Sequence, residues 1–284
     1  MKFLFVILLI LILISLCFSQ SKQEFADYLM NDRDYFRAIS VYKELYFYSQ
    51  NADLQNYCLL QIGYAYWKSN KYKSSIQFLT RLLNRSSISP YYRDRAMIYM
   101  GLNYYNLRLF STAEDYLQKI TSDTSGLSRF YLTLLDVEKG NFENASETYK
   151  KIYNLYPDKK IGTLSNELSN DVLNGLTLKH KKPFLAILFS TILPGSGQFY
   201  CQHHYDGIQA FLYVSAFAFA TYASYRYDKK FSDNYANTII AFSITSLFHI
   251  GNIIGAERTA KYYNLKQQQN FMNQIRKKVF SIED

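Results

Sequence analysis

Proline, glycine and cysteine are all scarce in this sequence of 284 residues. The chain has 4 prolines and 11 glycines, which disfavours a loop-rich all-β protein and suits long helices. The 3 cysteines, Cys17, Cys58 and Cys201, fall in three different parts of the chain. They cannot form the dense disulfide framework of a small secreted domain, so we expect buried or interfacial thiols.

Motifs for catalysis and for metal binding are also missing. No Ser-His-Asp order, Cys-His pair or pair of buried carboxylates stands out, so we predict neither an enzyme nor a cofactor. Cys201, His203 and His204 lie together, but adjacent histidines on one turn point apart. A metal site needs three or four converging ligands, and the other histidines, His180 and His249, lie elsewhere. We therefore predict no metal site.

Aromatic residues and an uneven positive charge are the prominent features of the composition. The chain has 28 Tyr, 21 Phe and a formal net charge of +9. Residues 179–284 contain about 12 basic and about 6 acidic residues, and this segment is otherwise apolar. Basic clusters beside apolar runs are typical of contacts with anionic lipid headgroups. Nucleic-acid binding requires a basic stripe on a folded surface, and none is evident in the rest of the chain. We expect a lipid bilayer as a partner and no nucleic acid.

Residues 1–19 have the pattern of a secretory signal peptide. One lysine precedes an apolar run that ends at Leu16, and the small residues Cys17 and Ser19 fit a cut before Gln20. Two alternatives remain open. The run is nearly long enough for an uncleaved membrane anchor. A lipoprotein cut before Cys17 is the other, although Leu16 is bulky for such a site.

The most informative pattern is a pair of small residues, twelve positions apart, that occurs four times along the chain. Two short helices packed face to face need a small residue on each helix where their backbones come closest, and this spacing supplies both. Successive copies begin about 37, 38 and 32 residues apart, near the 34 of one repeat family. The pairs are Ala26 with Ala38, Gly63 with Ser75, Gly101 with Ala113 and, more weakly, Thr133 with Ala145.

Other positions recur in the same frame. Each copy has an aromatic residue (Tyr35, Tyr72, Phe110, Phe142) and a later apolar residue (Leu45, Leu82, Ile120, Ile152), and the last copy closes with Tyr156-Pro157. With these features, residues 20–157 resemble the tetratricopeptide repeat family, which implies an all-α solenoid of about four helical hairpins. A generic helical bundle is the alternative. Residues 158–182 are predicted to be a capping or linker helix, because Leu164, Leu168, Val172 and Leu176 follow a near-helical period.

The tetratricopeptide resemblance also implies a groove that binds a protein or peptide partner along the first helix of each hairpin. These positions share one helical face and mix aromatic with cationic side chains, which is typical of binding hot spots. The alternative is that Trp67 and its tyrosines pack against the neighbouring repeat. On the two best-matching copies the groove positions are Tyr57, Leu60, Tyr64, Trp67, Lys68, Arg95, Ile98, Leu102, Tyr105 and Asn106.

Residues 183–256 change character and predict a membrane module with two or three transmembrane helices. The apolar runs 184–200, 208–225 and 235–254 each have about the length of a spanning helix. The pairs Ala216 with Ala220 and Gly251 with Gly255 have the spacing that lets helix backbones approach in lipid. A buried core of a soluble domain is the alternative. Residues 257–284 are predicted to be a basic polar tail.

The first apolar run contains the segment Pro194-Gly195-Ser-Gly197-Gln198, and Gly207 opens the second run. Over roughly residues 180–265 these features resemble a bacterial membrane domain of unknown function, which implies membrane residence and no known activity. The proline and the glycines predict a break in the helix. Backbone groups freed by that break, and the Gln198 amide, cannot stay unsatisfied in lipid.

Together these features predict an all-α chain, with a tetratricopeptide-type helical-hairpin solenoid followed by a C-terminal transmembrane helical module. We expect a scaffold that binds a protein or peptide partner at a bacterial cell membrane, with the repeats on the periplasmic side. The alternative is an accessory or pore-forming membrane protein, a transport or insertion factor, whose active part is the C-terminal module. Convergence of Gln198, Ser243, His249 and Asn252 would favour that alternative.

Overall fold

Helices are the regular secondary structure of this protein in the computed structural model, which describes residues 21–120, 125–232 and 234–283. No strand occurs within those ranges, so the predicted all-α class is confirmed. The chain divides into two compact units, the first ending at Ser169 and the second beginning at Asn170. The predicted leader and its two alternatives lie outside the described residues.

The first unit contains four consecutive helical hairpins. Polar side chains begin several of these helices, because the first backbone N–H groups of a helix lack partners within it. The side chains of Ser21, Asn51 and Ser89 each accept a hydrogen bond from such a group. The pairs are α1 (Lys22–Asn31) with α2 (Tyr35–Tyr48), α3 (Ala52–Lys68) with α4 (Tyr72–Leu83), α5 (Pro90–Asn106) with α6 (Phe110–Gln118), and α7 (Leu127–Glu138) with α8 (Phe142–Leu155).

The same short loop closes each of the four hairpins. Its middle residue has a positive φ in every copy: Arg33 at 63°, Asn70 at 59°, Arg108 at 63° and Gly140 at 82°. In the second hairpin the N–H of Asn70 donates to the carbonyl of Trp67 at 2.9 Å, and the N–H of Lys71 donates to the carbonyl of Tyr66 at 2.8 Å. This is a Schellman helix end, which reverses the chain through one left-handed residue. Two of the four copies therefore place an arginine in a left-handed backbone conformation that only glycine adopts without strain.

Small residues lie where the two helices of a hairpin meet. The hydroxyl of Ser75 on α4 donates to the carbonyl of Gly63 on α3 at 2.7 Å. A Cβ added to Gly63 would lie 2.6 Å from the Leu79 side chain, and one added to Gly101 would lie 2.7 Å from Leu117. The other predicted packing residues are also buried: Ala26, Ala38, Ala113, Thr133 and Ala145.

The predicted capping segment is only partly α-helical. Helix α9 (Lys160–Asp171) buries Leu164 and Leu168, as its period predicts. A 3-10 helix follows from Val172 to Thr177, and Leu176 on it is 54% exposed. The predicted near-helical period therefore does not hold as far as Leu176, because a 3-10 helix has three residues per turn and the fourth residue along turns away.

The second unit is built around a long helical hairpin. Its helices are α10 (Pro183–Ile192), α11 (Ser196–Tyr200), α12 (His204–Phe231) and α13 (Ala236–Phe280), followed by a 3-10 helix over Ser281–Glu283. Helices α12 and α13 form the hairpin, and α10 and α11 both pack against α13. The predicted break after the first apolar run is present, since α10 ends at Ile192, just before Pro194.

Two membrane expectations change with these bounds. Helix α10 has 10 residues, about 15 Å of length, which is half of a bilayer core of about 30 Å. The first apolar run therefore does not form a single spanning helix. Among the described helices, α13 with its terminal 3-10 turn is the one long and apolar enough to cross a membrane.

The predicted polar tail is not a separate segment. Helix α13 continues without interruption from the apolar run to Phe280. Phe271, Ile275 and Val279 on this continuation are buried, as is Met272. The apolar positions recur every four residues within the basic sequence, so one helical face is apolar although the composition is polar.

Aromatic and threonine side chains hold α12 against α13. The rings of Phe217 and Phe248 stack with centroids 4.2 Å apart. The hydroxyls of Thr221 and Thr245 are 2.7 Å apart, and Thr245 also donates to the carbonyl of Phe217 at 3.0 Å. A hydroxyl pair at this crossing needs helix backbones that lie close together.

The small residues that were predicted to bring the backbones of these helices together do not lie at their contact. Ala216 and Ala220 are exposed on α12, and a Cβ added to Gly251 would meet nothing within 4 Å. Gly255 faces Gln198, with 3.5 Å from its added Cβ to the amide nitrogen. The prediction of backbone contact is wrong for these positions, because spacing alone does not say which face of a helix is covered.

A buried aspartate closes the tip of the hairpin. Asp228 near the end of α12 accepts hydrogen bonds from the Asn237 side chain at 2.8 Å and from the Thr238 backbone N–H at 2.9 Å. The Thr238 hydroxyl donates to the same carboxylate at 2.8 Å. These bonds, led by that of Asn237, hold the pKa of Asp228 below its usual range. The carboxylate thus caps the start of α13, where the helix dipole favours negative charge.

Arg33→Gly should stabilise the first unit by about 1 kcal/mol, because a side chain other than that of glycine is strained at φ 63°. Arg33→Ala is the matched control, since it removes the same side chain yet keeps the Cβ, and it should give no gain. Urea unfolding of the full-length chain measures both. Equal midpoints for the two variants would contradict a left-handed loop.

Gly63→Leu and Gly101→Leu should each destabilise the first unit by roughly 1–3 kcal/mol or more, because the side chain overpacks the hairpin contact. Thermal unfolding provides the measurement. Gln77→Leu, on the exposed face of α4, controls for the added leucine and should leave the midpoint nearly unchanged. Unaltered midpoints for both glycine variants would show that these are not contact points.

Candidate functional sites

The predicted groove residues on α3 and α5 do not all face solvent. The partly exposed ones are Tyr57, Tyr64, Lys68, Arg95 and Asn106. The buried ones are Leu60, Trp67, Ile98, Leu102 and Tyr105. Half of the predicted set therefore belongs to the core, and a groove on this face has to be lined by the other half.

Trp67 lies in an aromatic stack that joins two hairpins. Its ring is 5.8 Å from that of Tyr64 on the same helix and 6.1 Å from that of Tyr99 on α5. Tyr64 and Tyr99 are themselves 4.9 Å apart. The ammonium of Lys68 lies 5.7 Å from the Trp67 ring and 5.8 Å from that of Tyr64. This geometry corresponds to the alternative in which Trp67 packs against the neighbouring repeat.

Two further residues of the predicted groove, Tyr57 and Tyr105, also connect the first helix of one hairpin with that of the next. Tyr57 on α3 donates to the Asp27 carboxylate on α1 at 2.6 Å, and Tyr42 on α2 donates to the same oxygen at 2.5 Å. Burial, with the adjacent Asp27 charge, raises the pKa of both phenols above the ordinary value. Both tyrosines therefore remain neutral donors. Tyr105 on α5 donates in the same way to Glu138 on α7.

The second unit has a tight turn at the Pro-Gly-Ser-Gly-Gln segment. Gly195 has φ 85°, and a Cβ on it would lie 2.1 Å from the carbonyl oxygen of Gly207. A Cβ on Gly197 would lie 2.1 Å from the carbonyl oxygen of Ala186 on α10. One on Gly207 would lie 2.7 Å from the Phe199 ring. Gly195 and Gly197 are therefore required by close approach of the backbone, and Gly207 leaves room for the Phe199 ring.

A buried hydrogen-bond network surrounds this turn. Ser190 donates to the side-chain oxygen of Gln198 at 2.9 Å and accepts from the N–H of Gly197 at 3.0 Å. The Gln198 amide nitrogen donates to the backbone oxygen of Asn252 at 3.1 Å and to its side-chain oxygen at 3.2 Å. Asn252 donates to the carbonyl of Ser190 at 3.1 Å and accepts from the N–H of Gly195 at 3.0 Å. The Gly195 N–H, the Gly197 N–H and the Ser190 carbonyl, all at the helix break, are thus paired with side chains.

Sequence reasoning anticipated part of this network. Gln198 and Asn252 converge, whereas Ser243 is exposed and donates to the carbonyl of Ile239 within its own helix. His249 takes no part in the network. Ser190 was missed, and the Ser190-Thr191 pair inside the apolar run is the signal that could have identified it.

The start of α10 is attached to α13 by a second pair of hydrogen bonds. The Lys181 N–H donates to the Asn264 side chain at 2.7 Å, and the Asn264 amide donates back to the Lys181 carbonyl at 2.8 Å. The Lys181 ammonium lies 4.5 Å from the Tyr200 ring and 5.6 Å from that of Tyr263. A cation among tyrosines is typical of the interface between a membrane and water.

No cluster of three or more His, Cys, Asp or Glu side chains with metal-binding geometry occurs among the described residues. His203 instead contacts the Asp206 carboxylate at 3.3 Å, and Cys201 is buried beside Ala186, Ala256 and Ala260. In the first unit Cys58 is also buried, and burial raises the pKa of its thiol to about 12. Neither thiol is placed to act as a nucleophile.

A cleft of about 580 Å³ lies between α12 and α13, beside the buried network. Gln198 and Asn252 border it. Asp206, Gln209 and Thr259 supply further polar groups to its lining, and Val214, Leu247 and Phe248 supply apolar ones. Its volume is in the range of small-molecule sites, and sequence reasoning did not anticipate it.

Gly195→Ala should unfold the turn, because the added Cβ clashes with Gly207 and the residue has a left-handed φ. We expect a lower unfolding midpoint for the full-length chain in detergent, by the equivalent of roughly 1–3 kcal/mol or more. Pro194→Ala is the matched control and should change the midpoint much less, since the φ of Gly195 maintains the reversal. A midpoint lowered equally by both changes would assign the turn to the proline.

Comparison with known proteins leaves the family open. No protein-family model matches the chain, and neither a curated protein nor a solved structure matches it. The resemblances to tetratricopeptide repeats and to a bacterial membrane domain therefore stay predictions, and function has to be argued from the geometry of the two units.

Proposed function

We propose that this chain is a scaffold of the tetratricopeptide type, anchored in a bacterial cell membrane by its second unit. Its first unit binds a peptide or helix of a protein partner, on the periplasmic side if the leader is cleaved. The observation that carries the proposal is the pairing of a helical-hairpin array with a hairpin whose apolar side chains are exposed.

The second unit has the dimensions of a membrane anchor. The stretch between Asp206 and Arg226 on α12 is uncharged over roughly 19 residues, or about 29 Å. The facing stretch of α13 has no Asp, Glu, Lys or Arg from Ala236 to Ala256, roughly 21 residues and about 32 Å. Both lengths match a bilayer core of about 30 Å, and α13 is the described helix that is also apolar enough to cross a membrane.

The side chains on these stretches support the same assignment. Phe219 on α12 is 73% exposed, and Leu247 on α13 is 69% exposed. The exposed apolar residues continue along both helices, at Phe211, Leu212, Ile239, Ile240, Phe242 and Ile250. Continuous apolar surface of this kind marks a site of membrane or protein contact. A hairpin of about membrane thickness favours the membrane.

Four features of the first unit support the tetratricopeptide type. Its helices pair as hairpins, each pair has small residues at its contact, and each closes with the same left-handed loop. The first helices of successive hairpins contact one another through Tyr57, Trp67 and Tyr105. Repeats that stack in this way leave a continuous face formed by first helices, which is the surface that such scaffolds use for binding.

Lys68 and Arg95 are the positions from which to detect a partner, since both are partly exposed on this face. A photo-crosslinking amino acid would be placed at each position in the full-length chain, in cells that naturally make the protein. We expect one partner protein to be crosslinked from both positions. The crosslinked protein would then be identified by mass spectrometry.

Arg93 is the matched control, because it lies on the same helix as Arg95 and is exposed. The proposal predicts no crosslink from Arg93. Equal crosslinking from Arg93 and Arg95 would indicate random collision. A partner that crosslinks only to residues of the second unit would favour the alternative function.

That alternative, an active C-terminal module, is supported by the cleft between α12 and α13. The buried network itself argues less for transport, because the Gln198 and Asn252 amides are occupied by hydrogen bonds within the protein. Only two of the four polar residues proposed to converge do so. We therefore place the alternative second.

A further inference from the structure

The cleft between α12 and α13 has a polar end and an apolar end. The two helices are antiparallel, and the pairing of Phe217 with Phe248 places Asp206 at the level of Thr259 on α13. Val214 lies towards the end lined by Phe248 and Leu247. Leu247 and Thr259 are about 18 Å apart along α13. The lining of the cleft therefore changes from polar to apolar along the helix axes. In the proposed function this is the direction in which the hairpin crosses the bilayer.

The apolar end opens towards the outer surface of the hairpin. Tyr213 is 55% exposed and Leu247 is 69% exposed, and both line the cleft. In the proposed arrangement this side faces lipid. An amphiphile with one polar head and a long apolar chain fits both ends, and it can enter sideways from the bilayer.

The polar end carries negative charge. Among the described residues that line the cleft, Asp206 is the charged one, and its side chain is 54% exposed. The side-chain oxygen of Gln209 and the hydroxyl of Thr259 add hydrogen-bond acceptors nearby. A carboxylate and neutral acceptors complement a primary ammonium group, which offers three N–H donors and a positive charge.

We infer that this cleft binds one phospholipid with a primary ammonium head, such as phosphatidylethanolamine, with its head at Asp206 and an acyl chain along Val214, Leu247 and Phe248. The inference rests on the proposed membrane anchoring, and it adds a specific lipid site to the anchor. The site is distinct from the partner face of the first unit.

Gly251 provides a variant that blocks the cleft without disturbing the fold. It lines the cleft, and a Cβ built on it meets no heavy atom within 4 Å. Gly251→Leu should therefore fold normally and fill the space for an acyl chain. Ala220→Leu adds the same bulk at an exposed position of α12 that does not line the cleft. It is the matched control.

The test is native mass spectrometry of the full-length protein in detergent, titrated with phosphatidylethanolamine, phosphatidylcholine or phosphatidylglycerol. We expect one phosphatidylethanolamine to bind to the unmodified chain and to Ala220→Leu, and none to Gly251→Leu. Asp206→Asn should weaken this binding roughly tenfold, since a charged hydrogen-bond partner is lost. The same change should weaken phosphatidylcholine binding less, because a quaternary ammonium is attracted to the carboxylate by charge but has no N–H to donate.

Two results would overturn the inference. One is binding of phosphatidylethanolamine that survives Gly251→Leu, and the other is equal binding of all three lipids. Failure of the proposed anchoring would be seen separately, as release of the protein from membranes by alkaline carbonate. Failure of the scaffold would be seen in the crosslinking experiment, which does not depend on the cleft.

Discussion

Close approach of neighbouring groups to a glycine backbone is the constraint on which both units depend. Gly63 has a leucine side chain within 3 Å of the position that its Cβ would occupy, and Gly195 has a carbonyl oxygen there. Such contacts leave room for a short hydroxyl side chain to bond to the glycine backbone but no room for a longer one. Ser75 bonds to Gly63 in this way, and Ser190 bonds to Gly197. Helix pairing in the first unit and chain reversal in the second therefore follow from the absence of side-chain bulk.

In the second unit the same constraint has an energetic consequence. A broken helix inside an apolar environment leaves N–H and C=O groups whose burial without partners costs several kcal/mol each by order of magnitude. The Asn252 side chain pairs with two of these groups, the Gly195 N–H and the Ser190 carbonyl, and the Gln198 amide bonds to Asn252 in turn. Their role is thus structural, and the other polar residues of the cleft, Asp206 and Thr259, line it beside the network.

The sequence was a good guide wherever a contact depends on local spacing. Small residues twelve positions apart predicted the hairpins, and Pro194 with its glycines predicted the break after α10. It was a poor guide to which face of a helix is covered. Ala216 and Ala220 have the right spacing but face outward, and aromatic and threonine side chains make the contact on another face. A helical period defines faces, but the neighbour that covers a face comes from elsewhere in the chain.

The amino-acid sequence by itself determined the all-α class, the repeat period and the position of the glycine turn, because each depends on residues close together in the chain. Only the tertiary structure decided that Trp67 is enclosed in a stack with Tyr99, that Ser190 completes the buried network, and that a cleft lies between α12 and α13. These features join residues that are distant in the sequence. Their geometry depends on how helices of different hairpins pack, which no local pattern specifies.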